Sequence, residues 1–356
     1  MGLTTAACFA DMGNVSVYGK VDMAIGTTSN GKVSTTQVSS QVTKLGFKGS
    51  ADVDGGLSAV WQIEQQIDID NAGSGNSTKN TLASRNSFAG LKSDSMGTVL
   101  LGRYDTPYKI ATRGLDVFAD QFADNRHLMG GGTKPSNGSY MDMRATDELV
   151  YLSPSISGLK AAASYAAGAE TAAATTDIKG SLWSLAGMYE QGPLYGALAY
   201  QNVKFGTAGT GSIVATGSMG AGDSLKAWKM GVGYTMDVLQ LNAVYEKITS
   251  SIGGADTLGR TDLNLAGKYN IGNDDVKLSY TRAGDTAGTT NTGAHMVGVG
   301  YDHNLNKLTS LYAQYVRLTN NSNAAFGFNT AATTAAVTGI AGESASGFML
   351  GMKHTF

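Results

Sequence analysis

Three carboxylates recur at regular spacing in Leu115-Asp-Val-Phe-Ala-Asp-Gln-Phe-Ala-Asp124, at Asp116, Asp120 and Asp124. At about 100° per residue, Leu115, Phe118 and Phe122 share a narrow arc of a helical wheel and the three aspartates lie opposite. The pattern predicts a short helix that buries its phenyl face and presents a row of carboxylates. A surface helix with a solvated acidic face is the plainer alternative. Cations of a second kind are embedded in alternating runs. Lys44 and Lys48 alternate with Leu45 and Phe47, Lys20 with Val21, and Arg85 stands beside Asn86 and Phe88; Arg103 closes one such run and Arg144 opens the next. A basic wall facing an acidic segment across a narrow water path would impose a transverse field on any ion passing between them.

Groups that make and break bonds are missing from the pattern. The histidines His127, His295, His303 and His354 have no metal-ligand spacing of the His-Glu-x-x-His kind, and no Gly-x-Ser-x-Gly elbow occurs. Gly130-Gly-Gly-Thr-Lys134 has the composition of a phosphate loop without its strand–loop–helix setting. No nucleophile, base and orienting group converge by spacing. The sequence therefore asks for no cofactor, no metal and no enzymatic reaction. A net charge of -2 also gives no footprint for nucleic acid.

The elements that must position the charges read as strands. In Leu57-Ser-Ala-Val-Trp-Gln-Ile-Glu-Gln-Gln-Ile-Asp68, one face carries Leu57, Ala59, Trp61, Ile63 and Ile67 and the other Ser58, Gln62, Glu64, Gln66 and Asp68. Period-two alternation of this kind places successive side chains on opposite faces. About sixteen such segments of roughly ten residues follow one another, the length a tilted strand needs to cross a bilayer. They are expected near 14–25, 41–50, 57–69, 82–91, 97–104, 145–153, 157–168, 180–190, 194–204, 224–234, 238–248, 260–271, 275–282, 294–302, 308–316 and 346–356. Short connections such as Gln191-Gly-Pro193 alternate with long ones at 26–40, 70–81, 105–144, 205–223 and 317–345. That rhythm is expected of an up-and-down barrel in an outer membrane, which has no open edge. A charge on its lipid face would cost roughly 2–4 kcal/mol at the midplane, so the embedded cations belong inside.

Composition agrees. Glycine contributes 48 residues and proline 4, charged residues are 15%, and no run of about 18 apolar residues offers a membrane-spanning helix. The single cysteine, Cys8, excludes a disulfide scaffold. With Ala10 it forms a small-residue pattern before Asp11, so residues 1–10 read as a signal-peptide remnant and 11–356 as one barrel domain. An ordinary unstructured start is the alternative.

Seven short motifs in order make the chain similar to the trimeric general porins of Gram-negative outer membranes, of the betaproteobacterial type. They are Val17-Tyr-Gly-Lys-Val-Asp22, Lys44-Leu-Gly-Phe-Lys-Gly49, Gly55-Gly-Leu-Ser-Ala-Val-Trp-Gln-Ile-Glu64, Ser84-Arg-Asn-Ser-Phe-Ala-Gly-Leu91, Leu101-Gly-Arg-Tyr-Asp105, Val150-Tyr-Leu-Ser-Pro154, and Ala341-Gly-Glu-Ser with the closing Gly351-Met-Lys-His-Thr-Phe356. The resemblance implies an all-β, sixteen-stranded antiparallel transmembrane β-barrel whose third extracellular loop, here 105–144, folds inward and narrows the pore. It carries the family's constriction-wall cations onto Arg85, Arg103 and Arg144, with Lys20 as a further basic position. Lys44 stands where arginine is common, keeping the charge but losing the flat guanidinium. The loop departs from the family's Pro-Glu-Phe-Gly-Gly pattern, and Asp116 and Asp120, with Asp124 beyond them, take the acidic places. Phe356 resembles the family's barrel-insertion signal.

The expected function is a water-filled channel for passive diffusion of ions and small hydrophilic solutes, weakly anion-preferring and not enzymatic. Its expected partners are two further copies of the chain in a homotrimer, outer-membrane lipids and lipopolysaccharide, and the barrel assembly machinery. A substrate-specific channel on the same barrel and, more remotely, a surface adhesin that binds through its loops are the rival readings.

Overall fold

The computed structural model describes residues 14–70, 82–130, 141–168, 178–206, 220–328 and 337–356. The leader expected at 1–10 lies outside them. Alternation of apolar and polar side chains sets the architecture. In Ser224–Met236, Trp228, Met230, Val232 and Tyr234 are exposed while Ala227, Lys229, Gly231 and Gly233 are covered, so one face looks outward to an apolar surround.

The strands are β1 (Asn14–Ser29), β2 (Ser34–Ser40), β3 (Lys44–Val53), β4 (Leu57–Gln66), β5 (Ser87–Ser93), β6 (Gly97–Asp105), β7 (Arg144–Leu152), β8 (Leu159–Ala167) and β9 (Ser181–Gln191). They continue with β10 (Leu194–Lys204), β11 (Ser224–Met236), β12 (Leu239–Ile252), β13 (Ala255–Ile271), β14 (Asp274–Ala283), β15 (Ala294–Asn304), β16 (Thr309–Asn320) and β17 (Ser344–Thr355). Each pairs antiparallel with the next, and β17 closes on β1 from Lys20↔Thr355 to Ser29↔Ser346. Both β2 and β3 pair with β1, so they are two stretches of one strand broken at 41–43, and the barrel has sixteen strands. Closure leaves no unpaired edge, which is the condition for spanning hydrocarbon with strands.

Two rims result. Connections at one are two to six residues long, such as 192–193 and 272–273, while the other carries 67–86, 106–143, 168–180, 205–223, 284–293 and 321–343. One expected long loop is corrected. Residues 26–40 form a hairpin, β1 running to Ser29 and β2 beginning at Ser34, with 30–33 alone between them. The polar sequence Ser34-Thr-Thr-Gln-Val-Ser-Ser40 lacks an apolar face because at the rim the ladder to β1 is sufficient.

The longest connection turns into the barrel. Its first turn is helix α1 (Pro107–Arg113), with proline at the first helical position, where no N–H is needed. A 3-10 turn follows at Asn125–His127. A cluster of covered apolar side chains lies between this loop and the barrel wall, joining Phe118 and Phe122 to Met296, Val316 and Met349.

Candidate functional site

The inserted loop is fastened to the wall by groups that could not be left alone in a covered place. Tyr108, fully buried on α1, donates its hydroxyl to Glu246 at 2.6 Å, and its backbone N–H goes to Ser184 Oγ at 2.9 Å. Lys229 pairs with Asp142 and lies 4.1 Å from the centre of the Tyr108 ring. Farther along, Asn242 donates to the Leu115 carbonyl at 2.8 Å and Arg260 to the Leu128 carbonyl at 2.7 Å. Lys277 sits 5.0 Å over the Phe118 ring. The anchors come from β9 to β14, one arc of the barrel.

Glycines make room on that arc. A Cβ added at Gly231 would lie 2.5 Å from Leu115, and one at Gly300 would lie 2.6 Å from Phe118. Strand glycine at such points permits close approach of another segment.

The expected helix over Leu115–Asp124 is corrected. Helix α1 precedes it, and 115–124 is a chain of turns. The aspartates cause this. Asp116 accepts from the backbone N–H of Phe118 at 2.9 Å and of Asn125 at 3.0 Å, and Asp124 accepts from Asp120 N–H at 2.8 Å and Arg126 N–H at 2.9 Å. Asp120 itself has φ 65°, outside the helical range. Such side chain to backbone bonds compete directly with helix. The separation of faces nevertheless exists, since Leu115, Phe118 and Phe122 are buried against the wall.

The three aspartates come together around two arginines that the wheel did not pick out. Arg113 reaches Asp120 at 2.6 Å and Asp124 at 2.8 Å, with Asp116 at 3.5 Å, while Arg126 reaches Asp124 at 2.7 Å and Asp120 at 3.0 Å. Burial pushes the Asp120 carboxyl up, but Arg113 and Arg126, with a smaller contribution from Arg85 across the lumen, hold it well below the usual carboxylate range. Burial and neighbouring Asp124 push Asp116 the other way, up. The side chain of Asp116 is fully covered and that of Asp120 is 29% exposed, so Asp120 carries the acidic face toward water. The signal was in the sequence: Arg113 and Arg126 bracket the acidic stretch.

The cations occupy the opposite arc. Lys20 and Lys44 are direct cross-strand partners on β1 and β3. Like charges so placed repel, and each is answered by a carboxylate, Lys20 by Asp22 at 3.1 Å and Lys44 by Glu64 at 2.9 Å. Glu64 serves Arg85 as well, at 2.6 Å, and accepts from Tyr18 at 3.0 Å. Arg144 bonds to Asn86 Oδ1 at 2.6 Å and to Asp105 at 3.0 Å, and Asp105 also holds Lys109 of α1 at 2.7 Å. Arg103 stands apart. It lies in electrostatic range of Arg85 and Asp105, yet among the described residues its Nε has no hydrogen-bond partner. Lys48, 5.2 Å from the centre of the Tyr18 ring, has no carboxylate partner among the described residues. Phe356 ends the closing strand, exchanging backbone bonds with Gly19 at 2.9 and 3.1 Å.

A closed, outward-apolar barrel with a loop packed along one inner arc and cations along the other is an outer-membrane channel. The chain belongs to the Gram-negative porins, whose family model matches residues 1–324. It is 27% identical over 319 residues to outer membrane porin protein 32 of Delftia acidovorans, covering 88% of this chain and 84% of that one. To the major outer membrane protein P.IB of Neisseria gonorrhoeae it is 25% identical over 335 residues, 87% and 90% of the two chains. Its fold superposes on the anion-selective porin from Comamonas acidovorans with a TM-score of 0.79 at 23% identity, across 96% and 99% of the two chains. The protein is thus an integral outer-membrane channel for passive diffusion and not an enzyme.

Proposed function

We propose that the channel works as a homotrimer and passes ions and small hydrophilic solutes with a mild preference for anions. Lys20, Lys44, Arg85, Arg103 and Arg144 form the basic side of its constriction; Asp120 presents the acidic side, with Asp124 and the fully covered Asp116 behind it in the loop. One observation carries the preference. Even with Arg103 left out, Lys20, Lys44, Lys48, Arg85, Lys109 and Arg144 outnumber the nearby carboxylates Asp22, Glu64, Asp68, Asp105 and Glu148, six to five. The loop's own carboxylates, in contrast, are largely neutralised by Arg113 and Arg126. A similar fold belongs to an anion-selective porin, and another solved relative in fold is described in a trimer form. Its further partners in this reading are lipopolysaccharide and the barrel assembly machinery, and the aromatic Phe356 just after β17 suits recognition by the latter. Residues 1–10 are the remnant of an export leader, which N-terminal sequencing of protein from outer membranes checks by a start at Asp11.

The test is a planar bilayer under a salt gradient. Conductance in steps of three with a reversal potential of anionic sign is the expected record. Charge reversal at Asp120 raises the anion preference; unchanged selectivity removes it from the constriction. Saturable block by one solute class would replace general diffusion by a substrate-specific channel.

A further inference from the structure

The inserted loop has a second neighbour besides the wall, and it is another long connection. Residues 321–343 join β16 to β17, and their described parts, 321–328 and 337–343, turn back onto that loop. Asn320, the last residue of β16, ties the two limbs together at the base. Its side-chain amide donates to the carbonyls of Phe326 at 2.9 Å and Glu343 at 3.0 Å, and its Oδ1 accepts from the Phe326 N–H at 2.8 Å. Farther out the Val337 N–H donates to the Phe328 carbonyl at 2.7 Å. Gly327 and Gly339 let the limbs come this close, since a Cβ at either would run into the backbone of the opposite limb.

In a connection otherwise made mostly of Asn, Ser, Thr, Ala and Gly, Phe326 and Phe328 are 7% and 2% exposed. Phe328 packs on Phe122 of the inserted loop with ring centroids 5.3 Å apart, and lies 6.3 Å from the His127 ring. Gly347 of β17 leaves the space both phenyls use: a Cβ there would lie 3.0 Å from Phe122 and 3.1 Å from Phe328. Phe326 lies under the Arg260 guanidinium, 5.4 Å from the ring centre, and Arg260 donates onward to the Leu128 carbonyl at 2.7 Å. The connection therefore reaches both ends of 122–128. That stretch carries Asp124 and Arg126 and begins two residues after Asp120.

Apolar surface buried between two loops holds each to the other. The polar anchors of β9 to β14 act on Tyr108, Leu115 and Leu128, whereas Phe122 rests against glycine on β17 and Phe328 covers its remaining side. We infer that 321–328 and 337–343 form a strap over the inserted loop, with Phe326 and Phe328 as positioning residues that set where Asp120 and Arg126 stand in the pore. This rests on the reading of 105–144 as the constriction. It makes a connection of the long-loop rim part of the conducting machinery: when the strap shifts, the acidic side of the pore shifts with it.

The experiment compares the wild-type channel with Phe328→Ala, Phe122→Ala and the double variant. Hydrogen exchange of 115–128 reads the loop, and single-channel recording under a salt gradient reads conduction. Removing either ring is expected to speed exchange at 120–127 at least about tenfold and to raise open-channel current noise several-fold, with a shifted permeability ratio. The double variant should do no more than either single one, because both rings serve one contact. Phe328→Leu, which keeps an apolar side chain there, should restore most of the wild-type record. Lys32→Gln removes only the exposed ion pair with Glu343 at the foot of the strap and should change neither readout.

Unchanged exchange in Phe328→Ala overturns the strap, and so do effects of the two single variants that add in full. Faster exchange with unaltered conduction keeps the contact but overturns the placing of the constriction at 105–144, so the two readings fail separately. If Phe328→Ala does not assemble, Asn320→Ser carries the same test by loosening the base while leaving both rings. Its expected effect is about threefold faster exchange at 120–127, and no change there overturns the proposal.

Discussion

Two arcs of one barrel wall hold charges in opposite ways. Along β9 to β14 the charges are buried under the inserted loop and each is answered by a partner on the loop or on the wall itself. Lys229 is 2% exposed between Asp142 and Glu246, and Lys277 faces Asp302 at 2.9 Å. Along β1 to β7 the cations line the side the loop leaves open, and they share carboxylates, Lys44 and Arg85 dividing Glu64 between them. The first arrangement fixes where the loop lies. The second leaves positive charge over for whatever passes. The same residue types thus serve position on one arc and selectivity on the other, and the difference is access to water: a charge with little access must be matched, and one with access can stay in excess.

The sharpest way to break the comparison is to remove one cation from the covered arc. Lys229→Met leaves Asp142 and Glu246 facing each other without their shared partner. Breaking a buried pair by deleting one member costs about 3–5 kcal/mol. The expected outcome is a lower temperature for loss of the folded band in detergent gels, together with larger and noisier single-channel conductance as the loop loses its hold. Unchanged thermal stability would show that Lys229 does not carry the anchor.

Steric contact tests the same arc without touching charge. In Gly300→Val the new side chain must enter space held by Phe118, whose Cε1 would lie 2.6 Å from the added Cβ. Overpacking of this kind costs about 1–3 kcal/mol. Conductance is expected to shift as well, because Phe118 and Asp116 sit two residues apart on the loop. A variant that leaves both stability and conductance unchanged would mean that the loop does not bear on β15.

The strands were largely legible in the sequence because period two survives wherever one face meets an apolar surround. The reading 194–204 matches β10, and 224–234 needed only two more residues for β11. β2 was not legible, since Ser34–Ser40 carries almost no apolar side chain and is held by its ladder to β1. The loop was half legible. Spacing found Leu115, Phe118 and Phe122 as the buried side, yet it assigned them to a helix, because turns and helices both bring residues three and four apart together. Thr106-Pro107 was the stronger helix-start signal. Arg113 and Arg126 escaped because a wheel sorts residues by direction, whereas their role comes from folding the chain back on itself.

Removing cations from the open arc should reverse the balance of effects. Lys44→Gln with Arg85→Gln takes away two positive charges that together face Glu64, on side chains 28% and 15% exposed. The pair is partly solvated, so the expected stability loss is smaller than for Lys229→Met. Reversal potential should instead move toward cations, by several-fold in permeability ratio at low salt and less at high salt, where screening shortens the reach of the remaining charges. A change in thermal stability as large as that of Lys229→Met, with selectivity intact, would erase the distinction between the arcs.

The smallest expected effect comes where the arcs meet. Lys109 belongs to the loop but pairs with Asp105 of the open arc at 2.7 Å, and Arg144 shares that carboxylate. Burial lowers the pKa of Lys109 to about 7, with Arg144 and Arg126 adding to the shift against the opposing pull of Asp105. The ordinary lysine value lies near 10.4, so the unfolded chain holds this proton over a range where the folded protein has released it. Stability from this group therefore rises with pH between about 7 and 10 rather than falling. Conduction moves in the opposite sense. As pH rises through about 7 the constriction loses one positive charge, and anion preference should weaken by less than about twofold, a change that Lys109→Met should abolish. Recording reversal potentials from pH 6 to 8 checks this. A preference that strengthens with pH, or a titration that persists in Lys109→Met, would place the responsible group elsewhere on the wall.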